Sequence, residues 1–152
     1  MRSFIRVLPF LGVLTVLTLS PLTDVKVSAK SNLDLLLKSA IAKVRRTKPG
    51  PRQLDAAEHL LALTDNRDCS SVTDETIHSL VSLLDISDDG VQMWVAATLG
   101  VFGTRAKEAV PKLLSIYAVS ACTIQDRGSP ATIPIALKSM GVAVPHPKCS
   151  WQ

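Results

Sequence analysis

The chain has 152 residues, of which 47% are hydrophobic and 20% charged, with a formal net charge of +4 at pH 7. It is too apolar for a disordered chain and long enough for one modest core. The positive balance does not argue for nucleic-acid binding, because part of it comes from Arg2, Arg6 and Lys26, which lie in a segment expected to be removed.

That segment opens MRSFIR, continues with the apolar run Val7 to Leu19, and turns polar before Lys30. A basic start, an apolar run of about a dozen residues and small Val27 and Ala29 at positions −3 and −1 form a secretory signal layout, with cleavage expected after Ala29. The run is shorter than the roughly 20 residues of a membrane span, and an uncleaved N-terminal anchor is the alternative. The first cysteine is Cys69, too distant for a lipoprotein signal. The reading is therefore a signal peptide over 1–29, a helical domain over 30–141 and an extended tail over 142–152, in a secreted or periplasmic protein. Cleavage lowers the net charge from +4 to +2 and leaves it unevenly spread: residues 30–52 hold seven cations against Asp34 alone, whereas residues 53–89 hold nine acids against Arg67.

In chain order, Ser31 and Asn32 suit an N-cap, and Leu33, Leu36, Leu37, Ala40, Ile41 and Val44 follow at helical spacing until Lys48-Pro49-Gly50-Pro51 ends the run. A second helix is expected over Gln53 to Leu63, burying Leu54, Ala57, Leu60 and Leu61. The third starts at an N-cap Thr73, with Val72 stapled against Ile77 and with Asp74 and Glu75 in the first turn, where the helix dipole favours acids. Its buried stripe is Ile77, Leu80, Val81 and Leu84. Asp88 or Asp89 caps a fourth helix with the stripe Val91, Trp94 or Val95, Thr98, Leu99 and Phe102, ended by Gly103. A fifth is expected over Arg105 to Ser120. Pro111 is tolerable there only in a first turn, where N–H groups lack intrahelical partners, so the regular part should begin near Ala106 to Ala109. A sixth covers about Ala131 to Met140, stopped by Gly141, with Pro134 leaving its start open. The periodicity is near 3.6 throughout and no hairpin signal interrupts it, so the fold is all-α.

Helices two and three loosely repeat in helices four and five, with Ala56-Ala57 against Ala96-Ala97. Helix pairs of this length that cannot bury their apolar faces alone are the mark of an α-solenoid. The stretch Val91-Gln92-Met93-Trp94-Val95-Ala96-Ala97-Thr98-Leu99-Gly100, followed by Ala106, Ala109-Val110-Pro111 and Leu113-Leu114, resembles a short bacterial HEAT repeat, in which a V-x-x-x-A-A-x-x-L-G helix precedes an A-V-P-x-L helix. The resemblance covers Asp88 to Tyr117 well and Gln53 to Leu84 faintly. Gln92 stands where the family commonly has arginine, which removes a usual polar contact between repeats. The likeness implies a short HEAT-like α-solenoid of stacked antiparallel helix pairs, about six helices after the signal segment, serving as a protein-binding scaffold. Small residues at 96, 97 and 100 then let neighbouring helices approach closely.

Three cysteines in an exported chain suggest one disulfide and one leftover thiol. Eight residues from Val142 span up to about 26 Å when extended, enough to bring Cys149 back to Cys122, which is the favoured pair. A pairing of Cys69 is the alternative. The cysteines lack C-x-x-C spacing, and His59, His78 and His146 lack the spacing of a helical zinc site, so neither metal nor cofactor is expected. Asp55 and His59 read as an exposed i, i+4 pair, Asp85, Asp88 and Asp89 as caps rather than a calcium site, and Trp94 as core. No nucleophile elbow or phosphate loop is present, and the chain reads as a non-enzyme. The expected partner-binding face is formed by the outward positions of helices three and five: His78, Ser79, Ser82, Lys112 and Ser115. Peripheral attachment of the basic first helix to an anionic membrane is the second reading, and a HEAT-like lyase a distant third.

Overall fold

The computed structural model describes residues 24–122 and 128–146, with side chains from residue 32 onward, and among these it is all-α. The expected signal segment therefore lies largely outside the described residues, as does Cys149 of the expected disulfide. No described helix is long and apolar enough to cross a membrane.

Helix α1 spans Asp24–Arg46. It starts well before the expected N-cap at Ser31 or Asn32 and is helical through Ala29, because no proline or glycine interrupts Asp24 to Arg46. Leu33, Leu37, Ala40, Ile41 and Val44 are buried as expected, but Leu36 is 40% exposed. Among the described residues α1 is covered by residues 51–64 and 74–85, and its apolar stripe is wider than the side that these cover.

Helix α2, Pro51–Thr64, begins two residues before its expected start because Pro51 at the first helical positions needs no hydrogen-bond partner. It buries Ala56, Ala57, Leu60 and Leu63, while Leu54 and Leu61 are only half-buried. Helix α3, Asp74–Val81, has the expected N-cap: the Thr73 hydroxyl accepts from the Thr76 N–H at 3.4 Å, and both Val72 and Ile77 are buried. It then tightens into a 3-10 turn, Ser82–Asp85. Leu84 is buried as expected, but at three residues per turn Leu83 falls beneath Leu80, so Leu83 is buried as well and Val81 is half-exposed, against the stripe expected from a continued α-helix.

Helix α4, Asp89–Phe102, starts where Asp88 accepts from the Val91 N–H at 2.9 Å, and it buries Val95 rather than Trp94, which is partly covered. Gly103 ends it with φ +55°. The next segment divides in two, a 3-10 stretch Gly103–Ala109 and then α5, Val110–Ser120, with Pro111 in the first turn. Helix α6, Ser129–Ser139, contains Pro134 in its interior, which leaves the Pro130 carbonyl without its helical donor. It closes in a Schellman motif: Gly141, φ +79°, donates to the Lys138 carbonyl at 3.0 Å and Val142 to the Leu137 carbonyl at 2.9 Å.

Helices α2, α4 and α6 pack side by side in that order, while α1 packs on α2 and α3, α3 on the 103–109 segment, and α5 on α6. The small residues of α4 serve this packing. A Cβ at Gly100 would lie 3.3 Å from Ala136 Cα on α6, and the Ser139 hydroxyl donates to the Gly100 carbonyl at 2.9 Å. The Gln92 amide donates to the Leu84 carbonyl at 3.2 Å, so glutamine does make a polar contact to the preceding helical segment, where the sequence suggested a lost one.

Two carboxylates complete helix N-termini on other helices. Asp34, only 9% exposed in the middle of α1, accepts from the Thr73 N–H (2.9 Å), the Thr73 hydroxyl (3.0 Å) and the Thr76 hydroxyl (2.7 Å). In a local capping box the residue at the third helical position reaches back to the N-cap N–H. Here that position is Thr76, too short for the task, and Asp34 supplies the acceptor from 39 residues away. Asp89 does the same at α6, where its carboxylate accepts from the Ser129 hydroxyl and from the Ser129 N–H at 3.3 Å. Its closeness explains Gly128, at φ +87°, where a Cβ would collide with the Asp89 carboxylate.

Burial alone would raise the Asp34 pKa, but the Thr73 N–H, the two hydroxyls and Lys38, 3.2 Å away, outweigh it and hold the group at about 2, below its ordinary 3.8. Because the folded value is the lower one, the stabilisation is complete above the unfolded pKa and fades as pH falls toward 2; the shift corresponds to about 2 kcal/mol. Asp34→Asn is expected to lower unfolding free energy at pH 7 by about 2 kcal/mol and to flatten the loss of stability between pH 4 and 2. Denaturant titrations across that range test it, and a variant with the same acid profile as the parent would refute the assignment.

Candidate functional site

The five residues expected to form a partner-binding face lie on α3, its 3-10 extension and α5, and the structure brings them onto neighbouring segments. His78 and Ser115 are exposed, whereas Ser79, Ser82 and Lys112 are half-buried. For Ser79 and Ser82 the burial has a specific cause in α1. The Arg45 guanidinium donates to the Ser82 hydroxyl at 2.5 Å and to the Ser79 carbonyl at 3.3 Å, and the Ser82 hydroxyl donates to the Ser79 carbonyl at 2.7 Å. Ser79 and Ser82 therefore spend hydrogen-bonding capacity within the chain.

The other residues are also cross-linked. His78 Nδ1 lies 3.2 Å from a Glu108 carboxylate oxygen, and Lys112 Nζ lies 2.5 Å from Asp85. On the α1 side, Lys38 bridges to Glu75 at 3.4 Å. The result is a polar lattice crossing from α1 over α3 to α5 with alternating charge. Its exposed pairs each contribute little stability, in the range of about 0 to 1 kcal/mol, and give the long side chains partners within the chain. The face thus presents hydrogen-bonding groups and charges of both signs, with His78 Nδ1 beside Glu108 and Lys112 beside Asp85. Among the described residues no three His, Cys, Asp or Glu side chains cluster closely enough to hold a metal ion.

Sequence reasoning missed Arg45, Asp85 and Glu108 as members of this face, since nothing local marks them; each enters only because a particular helix is its neighbour. Arg105 was missed for the same reason. Its guanidinium donates to the carbonyls of Cys69 (3.1 Å) and Val72 (2.5 Å) and to Asp74 (2.7 Å), pinning the α2–α3 linker to the segment after α4. The long linker around Cys69 is thereby folded back rather than left loose. Cys69 is a free, half-buried thiol, which removes the alternative disulfide that used it. Burial raises its pKa and Asp68 adds to the rise, while Arg105 and Arg67 oppose it.

No protein-family model, no curated protein and no solved structure matches this chain. The resemblance to HEAT repeats accordingly rests on the residues between Asp88 and Tyr117 themselves.

Loss of the Arg105 clamp should free the linker. Arg105→Ala is expected to speed labelling of Cys69 by a thiol reagent in the folded protein about tenfold or more, matching the roughly 1.5 kcal/mol or more that a hydrogen bond to a charged group contributes. Equal labelling rates in variant and parent would show that Arg105 does not hold the linker.

Proposed function

We propose that the chain is a short α-solenoid of the HEAT type, exported and cut near Ala29, which binds a protein partner and performs no chemistry of its own. The alternation of helices supports the stack: α2, α4 and α6 lie side by side, and α1, α3 and the 103–109 segment follow one another beside them. Cleavage after Ala29 would start α1 at Lys30 and return Ser31 and Asn32 to its first turn, where their capping preference is useful. A bridge from Cys122 to Cys149 would tie the tail to the end of α5, contributing roughly 3 to 4 kcal/mol by chain entropy. With Cys69 the leftover cysteine, the denatured, unreduced protein should show one reactive thiol per chain; a count of three would remove the bridge.

The observation that carries the binding reading is the lattice over α1, α3 and α5. Binding surfaces lose affinity when long side chains must be ordered on contact, at about 0.5 to 1.5 kcal/mol for each. Here Arg45, Lys112 and Glu108 are already held by Ser82, Asp85 and His78. His78 and Ser115 stand exposed on the resulting surface and would meet the partner first.

The test is affinity capture with crosslinking from the envelope and culture fluid of the source cell, comparing the parent with His78→Ala/Lys112→Glu. A partner recovered in near-stoichiometric amount with the parent, crosslinked at Lys112, and lost with the variant is the expected outcome. Equal recovery of that partner by both would place its contact elsewhere on the molecule.

A further inference from the structure

The outward side of α1 takes no part in the lattice. Lys38 and Arg45 are drawn toward α3, and the only acid between residues 30 and 52, Asp34, is buried against Thr73 and Thr76. What remains facing outward is sorted by chemistry along the helix. Leu35 is 64% exposed and Leu36 40%, while Lys43 and Arg46, about two to three turns further on, are exposed and form no ion pair among the described residues. Arg46 follows Leu35 by eleven residues and Lys43 follows Leu36 by seven, so each cation lies within about 20° of its leucine around the helix axis. The turn that follows adds exposed Lys48, and the start of α2 adds exposed Arg52.

We propose that this outer side of α1, with the α1–α2 turn, docks on an anionic lipid bilayer. The proposal concerns a different face from the α3–α5 lattice and stands independently of the protein-binding reading. A bilayer interface accepts apolar side chains at the acyl boundary and attracts cations through its surface potential, at about 1 kcal/mol for each basic residue near the surface. Leu35 and Leu36 supply an apolar half and Lys43 and Arg46 a cationic half on one side of α1, and exposed Lys48 and Arg52 follow in the turn and at the start of α2. With Asp34 turned inward, no carboxylate between residues 32 and 46 opposes them. An acidic protein would satisfy the four cations but leave the two leucines needing a matched apolar surface, so the bilayer is the occupant that answers to both halves.

The test uses the full chain as the cell processes it, with vesicles of phosphatidylglycerol mixed with phosphatidylcholine and with vesicles of phosphatidylcholine alone. Binding to the anionic vesicles that falls steeply with salt is expected. Lys43→Gln/Arg46→Gln should weaken partitioning roughly 30-fold, the equivalent of about 1 kcal/mol for each cation removed. Leu35→Ser/Leu36→Ser should weaken the binding that persists at high salt. All four positions are exposed, so these variants should melt with the parent, which thermal unfolding checks. Equal binding to both kinds of vesicle, or variants that bind anionic vesicles as the parent does, would overturn the proposal. So would capture of soluble polyglutamate by a chain that ignores anionic vesicles, an outcome that assigns the face to an acidic protein.

Discussion

The Asp34 carboxylate at the start of α3 is the constraint on which much of the arrangement depends. An acid in the middle of an amphipathic helix belongs in solvent, and burying it without partners would cost several kcal/mol. It is tolerated because α3 begins directly opposite with three donors aimed at it: the Thr73 N–H and the hydroxyls of Thr73 and Thr76. Each side solves the other's problem, and this fixes the register of α1 against α3. Once α1 is set in that register, Arg45 reaches Ser79 and Ser82, and Lys38 reaches Glu75. Sliding α1 by one turn would break all three contacts together.

The same device recurs at the other end of the molecule, where Asp89 completes the start of α6. There the carboxylate also selects the backbone, because its approach leaves room only for glycine at 128. Between these two points the packing relies on small residues, with Gly100 of α4 against Ala136 of α6, and on the Arg105 clamp over the long linker. Specificity of register thus comes from charged hydrogen bonds at helix ends, and cohesion from the apolar stripes between them.

The pattern of success in reading the sequence follows from the range of the interactions. Asp88 and Thr73 as caps, Pro111 in a first turn and Gly141 at a helix end were legible because each acts on its own helix within a few residues. Leu36 was assigned to the core because periodicity records which residues are apolar and not whether a neighbour exists to cover them. Leu83 replaced Val81 because the change to a 3-10 turn altered the period in mid-stripe. Asp34, Asp89 and Arg105 gave no local signal, since their partners lie 31 to 42 residues away. The polar face was legible as a set of outward positions on two helices. The hold of Arg45, Asp85 and Glu108 on it was not, because that required knowing which helices lie side by side.

The most direct test of this account is a double-mutant cycle between Asp34 and Thr76, measured by denaturant unfolding of the Asp34→Ala, Thr76→Ala and double variants. The account predicts that the two changes are not additive, with a coupling of about 1 to 3 kcal/mol, as for a hydrogen bond to a buried charge. Additive effects within about 0.5 kcal/mol would mean that α1 and α3 are not joined at this point. The register of the first three helices would then need another explanation.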